Sequence, residues 1–299
     1  MMTETIYSLI RPDHVKIMYG LTRAEQMPGQ RAIVLLHGLA SNMTRWTEFL
    51  INTQLKSQWD IIRIDLRGHG DSKTCGRIGL ELWSDDLVAL LDTQNYAQAV
   101  LIGHSLGAQV ALHFGSTHAS RVQALALIDP VFYQALQNKW QWLARYHPLF
   151  TWIAQFVRAI NAIGLRRTHI PLLDLYTLDK ITRQSLLEPA LERKFIRRYR
   201  SIWADLHTFH TAHYLQELAE MFRPVPLAST IQSPVLVLLS TGTVFTDIAQ
   251  TQVVAQGFPH NQIVTVNCHH WPLTEKPNEV RQAIETWCKG LLPDNYNVM

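Results

Sequence analysis

Cysteine is scarce in this chain. The 299 residues hold three, Cys75, Cys268 and Cys288, an odd number at no metal-like spacing, which argues against a disulfide framework and for a reducing compartment. Net charge is small, with 27 Lys and Arg against 24 Asp and Glu. No broad basic stripe with aromatic platforms occurs, so no nucleic-acid partner is expected. No apolar run reaches the ~18 residues of a spanning helix. The beginning, MMTETIYSLIRPDHVKIMYG, has no basic start followed by an apolar stretch, so neither a transmembrane segment nor a signal peptide is expected. No G-x-G-x-x-G follows the first strand-like run, so dinucleotide binding has no support. Glycine and proline, 14 and 13, are too few for a collagen-like or low-complexity chain. These absences lead to the expectation of a soluble, cytoplasmic protein.

What is present is a core-forming sequence, 47% apolar. At this length, burial of about three quarters of the unfolded surface needs neither disulfide nor metal. Six short apolar runs stand out: Ala32–Leu36, Ile61–Ile64, Ala99–Ile102, Ala124–Ile128, Val235–Leu239 and Ile263–Val266. They do not alternate with polar residues, the pattern of strands buried on both faces of a parallel sheet. Helical stretches such as Leu80–Leu91 and Leu106–Ser116 lie between them, so an α/β architecture with helices on both faces is expected.

The alternation is interrupted once, from Val131 to Ala228, where helical periodicity replaces strands. Residues 1–130 and 229–299 therefore read as one core and 131–228 as an inserted helical cap. The insert is basic, with thirteen Lys and Arg against seven Asp and Glu, which could attract an anionic substrate or surface. Trp152, Phe156, Ile160 and Ile163 share a helix face that is expected to pack within the cap, with a membrane anchor as the less favoured alternative. Leu191, Phe195, Arg198 and Ile202 form a mixed face further on. The pairs Arg166-Arg167 and Arg197-Arg198 read as solvated faces. His207, His210 and His213, spaced by three, fit an amphipathic cap helix better than a metal site.

Gly103-His104-Ser105-Leu106-Gly107 follows one strand-like run and opens a helix. That is the context of a nucleophile elbow, a turn tight enough to hold the central hydroxyl at the sheet edge over a helix N-terminus. Leu35-Leu36-His37-Gly38-Leu39 ends the first run, where a backbone N–H can face a developing oxyanion. The expected donors are the N–H groups of Leu39 and Leu106. Cys268-His269-His270-Trp271-Pro272 follows the last run and supplies an imidazole at the same edge.

With LLHGLA (35–40), DLRGHGDS (65–72), GHSLGA (103–108), PVLVLL (234–239) and HHWPLTEKP (269–277) in this order, the chain resembles the α/β-hydrolase superfamily of the capped type. The resemblance implies an α/β-hydrolase fold, a mostly parallel central sheet flanked by helices with an inserted helical cap. It selects His270, which stands before Trp-Pro, as the base and leaves His269 as a neighbour. Asp65 and Asp71 take structural roles. The acid is the departure, since Thr243 occupies its usual position and cannot hold an imidazolium. Two carboxylates remain. Asp129 ends the Ala124–Ile128 run and is preferred; Asp247 is followed three residues later by Gln250, a capping arrangement.

The expected activity is hydrolysis of a carboxylic ester, or a related acyl or C–C bond, by Ser105, His270 and Asp129. No cofactor or metal is expected, and the partner is a small apolar or anionic acyl compound. Trp140, Trp142, Phe150 and Trp152 are candidate pocket walls. An acyltransferase or lyase on the same scaffold, and a non-catalytic binding protein, are the alternatives.

Overall fold

The computed structural model describes residues 3–165, 167, 170–185, 199, 201–242 and 244–292. Thr243, Arg166, Leu191, Phe195, Arg197 and Arg198 of the sequence reading lie outside the described residues. The sheet has eight strands, β1 (Thr5–Ile10), β2 (Lys16–Thr22), β3 (Ala32–Leu36), β4 (Asp60–Ile64), β5 (Ala99–His104), β6 (Val122–Ile128), β7 (Val235–Gly242) and β8 (Asn261–His269). Their spatial order is β1-β2-β4-β3-β5-β6-β7-β8. From β4 to β8 every neighbouring pair is parallel, while β2 is antiparallel to both β1 and β4.

All six expected runs form strands. The two N-terminal strands are not among these runs: β1 lies mostly exposed at the sheet edge, and β2 beside it, KIMYGLT, is largely buried but mixes Lys, Gly and Thr with its apolar residues.

Every residue of β3, β4 and β5 is buried, and successive side chains alternate between the two faces. Ala32, Val34 and Leu36 join one core. Ile33 and Leu35 join the other. The first core takes its helical layer from α2 (Leu80–Thr93) and α3 (Leu106–Thr117), through Trp83, Leu87 and Phe114. The second takes it from α1 (Thr47–Asn52) and, near the end of the chain, a helix spanning Pro277–Lys289, through Phe49, Val280 and Ile284. Each large apolar side chain so buried is worth roughly 1.5–3 kcal/mol, so the sheet's central strands form a rigid mount for whatever stands at their ends.

Between β6 and β7 the described residues form helices and irregular segments, with no strand. The helices are α4 (Asn138–Ala144), α5 (His147–Ala162), α6 (Leu175–Ser185), α7 (Ile202–Thr208) and α8 (Thr211–Met221). Beyond β7 come α9 (Ile248–Gln256), α10 (Pro272–Glu275) and α11, the Pro277–Lys289 helix. No helix among the described residues is long and apolar enough to cross a membrane.

The expected packing of the Trp152 face within the insert is overturned. Trp152 is 74%, Phe156 64% and Ile163 76% exposed, whereas the buried residue of α5 is Ala154, on the opposite side. The helix packs through the face that carries Ala154, with Phe150, Val157 and Arg158 half-buried beside it, and periodicity alone does not tell which stripe a helix turns inward.

Candidate active site

Parallel strands end at one edge of the sheet, and the candidate residues gather there. In register, His104 of β5 lies beside Ile128 of β6, and Ile128 beside Leu238 of β7. The residues just past β5 and β6 are Ser105 and Asp129. Gly242 of β7 lies beside His269 of β8, so His270 is delivered to the same edge.

Ser105 adopts φ 52°, ψ −112° between β5 and α3, a conformation that side chains rarely take. The flanking glycines make the bend possible. A Cβ on Gly103 would stand 2.2 Å from the Gly107 carbonyl oxygen, and one on Gly107 would stand 2.4 Å from that of Leu36. Strand, turn and helix pass too closely for any other residue at either place.

Ser105 Oγ lies 3.2 Å from Nε2 of His270. The other ring nitrogen, Nδ1, lies 3.3 Å from Oδ2 of Asp129. Asp129 is 3% exposed and has φ 46°, a left-handed bend that aspartate and asparagine tolerate better than most. Its carboxylate is held by Ser240, whose N–H donates to Oδ1 at 2.7 Å and whose hydroxyl donates to Oδ2 at 2.6 Å. Asp247 stands elsewhere in role: it caps α9, accepting the Gln250 N–H at 2.9 Å. His269 pairs with Glu275 at 2.9 Å.

The loop after β3 faces this group. Leu66 N–H donates to His37 Nε2 at 3.1 Å, so the His37 proton is on Nδ1, which donates to the Gly38 carbonyl at 2.9 Å. Burial holds this imidazole neutral, well below its ordinary pKa. Leu39 and Gly38 line the cavity over Ser105. Leu106 opens α3, where helix geometry offers its N–H no acceptor within the helix.

Three features escaped the sequence reading. His104 Nε2–H donates to the His270 carbonyl at 3.2 Å. Burial, with the nearby His270 adding to it, pushes the His104 pKa down to about 3, so it stays a neutral backbone clamp. Ser240 orients Asp129, and nothing in PVLVLLS marks a serine with that duty. The third is a buried pair crossing from the insert to the core. Glu217 of α8 accepts the Ala40 N–H at 3.2 Å and bonds His69 Nε2. Burial raises the Glu217 pKa far above the carboxylate range and pushes His69 down to about 4. The neutral pair is therefore favoured, with the carboxyl O–H donating to Nε2 while Nδ1–H faces the Leu66 and Arg67 carbonyls at 3.2 Å.

Asp65 accepts the N–H groups of Met43 and Asp71 at 2.7 and 2.9 Å, a loop-bracing position that leaves it outside the Ser105 group. Asp71 is exposed beside Lys73, 3.7 Å away. Of the three spaced histidines, His213 reaches the Gly76 carbonyl at 3.1 Å, and His207 lines the cavity. No group of His, Cys, Asp or Glu among the described residues is arranged to hold a metal.

A cavity of about 600 Å³ opens onto Ser105 and His270. That volume is ordinary for a small-molecule site. Leu143, Leu175, Leu178, Leu218, Met221 and Phe245 give it apolar walls, several of them from the insert. Of the four aromatic wall candidates, Trp140 lines it. Trp142 and Trp152 instead face outward, 60% and 74% exposed, and Phe150 does not line it. Arg45 also borders the cavity, but its guanidinium is occupied by Asp179 and, at 2.7 Å, by the Thr274 hydroxyl.

Comparison with known proteins agrees with this architecture. The chain is 24% identical over 276 residues to ethanol acetyltransferase 1 of Kluyveromyces marxianus, covering 86% of this chain and 74% of that one. It is 24% identical over 266 residues to the sn-1-specific diacylglycerol lipase ABHD11 of Mus musculus, covering 86% and 80%. Among solved structures, a thermophilic esterase from Thermogutta terrifontis superposes with a TM-score of 0.67 at 20% identity, covering 97% of this chain and 99% of that one. The family profile of the alpha/beta hydrolase fold matches residues 31–277, spanning every strand from β3 to β8, and the chain belongs to that family.

Proposed function

We propose that the protein is a serine hydrolase cleaving carboxylic esters of apolar acyl groups, with Ser105 as nucleophile, His270 as general base and Asp129 as the acid that orients it. The observation that carries this reading is the Ser105–His270–Asp129 alignment, 3.2 and 3.3 Å between successive polar atoms, at the floor of an apolar cavity. Such contacts tighten when substrate closes the site.

Ser105 Oγ attacks the ester carbonyl carbon while its proton passes to His270 Nε2. The imidazolium so formed is held through Nδ1–H by Asp129. Negative charge on the carbonyl oxygen is met by the N–H groups of Leu39 and Leu106, worth ~3 kcal/mol each. The tetrahedral intermediate collapses, the C–O bond to the alcohol breaks, and His270 returns the proton to the leaving oxygen. Water, deprotonated by His270, then attacks the acyl-serine and releases the acid.

The helical insert acts as the cap that walls the cavity. Its apolar residues favour an apolar acyl chain, since of the two cations on the cavity wall Arg45 is already paired with Asp179 and Lys139 is exposed, with its ammonium over the Trp140 ring; the similarity to a diacylglycerol lipase fits that preference. Similarity to an ethanol acetyltransferase supports a second reading, transfer of the acyl group to an alcohol. Product analysis with competing alcohols separates the two. The primary test is labelling by a fluorophosphonate probe. Wild type should be labelled and Ser105→Ala should not; an unlabelled wild type would overturn the serine mechanism. Turnover of p-nitrophenyl esters of increasing chain length then measures the cavity's preference.

A further inference from the structure

We propose that the outward face of α4 and α5 docks on an anionic lipid surface, laying the helical insert in the interface rather than through the membrane. The first observation is exposure. Leu149, Trp152, Phe156 and Ile163 are 52%, 74%, 64% and 76% exposed. Helical spacing sets them directly opposite Ala154, which is fully buried. The inward side of α5 is already engaged with α8, where Arg158 donates to Gln216 at 2.7 Å. The outward apolar stripe is therefore not a face awaiting a place in the core. On α4 the stripe continues through Trp142, 60% exposed, and Tyr146 follows at 43%. Monomeric proteins rarely leave so continuous an apolar patch to water unless something covers it.

Charge selects what covers it. From Val131 to Leu173 the sequence holds Lys139, Arg145, Arg158, Arg166 and Arg167 and not one Asp or Glu. Lys139, Arg145 and Arg167 are exposed. Indole rings and aliphatic side chains bordered by cations, with no anion among them, match the boundary between lipid headgroups and acyl chains. Each exposed cation adds attraction to an anionic leaflet. A basic protein face of this kind repels a second copy of itself, which sets a lipid surface ahead of a homodimer. Interface burial of a few side chains is also all that this surface allows, since no described helix can span a bilayer.

The position suits the site below it. Lys139, Trp140 and Leu143 of α4 line the cavity while Trp142 and Tyr146 of the same segment are exposed. Docking this face would bring the cavity wall close to the lipid from which an apolar ester could enter.

The test is flotation of the full chain with phosphatidylcholine vesicles, with and without phosphatidylglycerol. Bound fraction should rise roughly tenfold or more with the anionic lipid and fall as salt is added. The double variant Trp152→Glu, Phe156→Glu should abolish flotation. Both side chains already face water, so its circular-dichroism melting curve should match wild type. Arg145→Glu should weaken binding to anionic vesicles alone. Three results would overturn the proposal: no flotation with anionic vesicles, equal flotation of the double variant, or a wild-type dimer in sedimentation velocity that the double variant dissolves. None of these measurements depends on Ser105, so failure here leaves the hydrolase reading standing.

Discussion

Replacing Asp129 with asparagine isolates the electrostatic duty of one carboxylate. The backbone tolerates the change, because residue 129 has φ 46° and asparagine enters that region readily. The amide oxygen can keep the Ser240 N–H bond now made at 2.7 Å, and the Ser240 hydroxyl, which now donates at 2.6 Å, can turn to accept from the new amide. What cannot be kept is the contact with His270. An NH₂ group opposite Nδ1 stabilises the tautomer with its proton on Nε2, which then points a hydrogen at Ser105 Oγ and cannot accept one. Loss of the base in this way costs roughly 10⁴ in kcat, or about 5 kcal/mol of barrier. KM should hardly move, since Asp129 does not line the cavity. The assay is steady-state turnover of a p-nitrophenyl ester, with fluorophosphonate labelling as a check on residual Ser105 reactivity. Asp247→Asn is the matched control: asparagine caps a helix as well as aspartate does, so activity and stability should both stay near wild type. If Asp129→Asn retains activity within tenfold while Asp247→Asn collapses, the assignment of the acid is wrong.

Three further outcomes follow from the packing around the site. Gly107→Ala sets a Cβ 2.4 Å from the Leu36 oxygen and 2.7 Å from that of His37; these are backbone atoms with nowhere to go, so urea unfolding should show a loss of about 3 kcal/mol, and an unchanged midpoint would contradict the elbow geometry. Glu217→Leu removes the acceptor of the Ala40 N–H and should lower kcat by roughly 10–100-fold with little change in KM. Glu217→Gln, which retains an amide oxygen for Ala40, should recover most of it; equal damage from both would show that only the fit of α8 matters. Burial raises the Asp205 carboxyl from 3.8 to about 7, with the Tyr214 hydroxyl partly opposing. A raised carboxyl binds more protons folded than unfolded, so its contribution to stability is intact below 3.8 and is lost as pH climbs through about 7. Asp205→Asn should therefore gain in melting temperature over wild type as pH rises across that window, and parallel curves would refute the shift.

Sequence legibility divides along a physical line. The central strands were readable because burial on both faces leaves no polar position, as in AIVLL and AVLI, whereas β1, mostly exposed at the edge, and β2 beside it, where KIMYGLT mixes Lys, Gly and Thr with apolar residues, lack that signature. The tight bend at Ser105 was readable because it demands glycine at 103 and 107, and the loop after β8 because it brings imidazoles to the same sheet edge; only the family resemblance singled out His270 over His269 as the candidate base. Asp129 could be nominated only by its place at the end of a strand. The register that sets Ser240 beside it belongs to the sheet and is invisible in a linear reading. The α5 stripe failed for a different reason. Spacing identifies which residues share a face, but the choice of inward face depends on what the neighbouring helix offers, and α8 accepts the Ala154 side. Glu217 and His69 lie 148 positions apart, and each alone resembles an ordinary surface residue. Their meeting is produced by the insert folding back over the loop after β3. A neutral buried pair that tethers the Ala40 N–H gives the insert mechanical purchase on the loop carrying Leu39. Any motion of α8 that lengthened the Glu217 contact would therefore be felt at the proposed oxyanion donor before it was felt at Ser105, whose bend is fixed by the sheet.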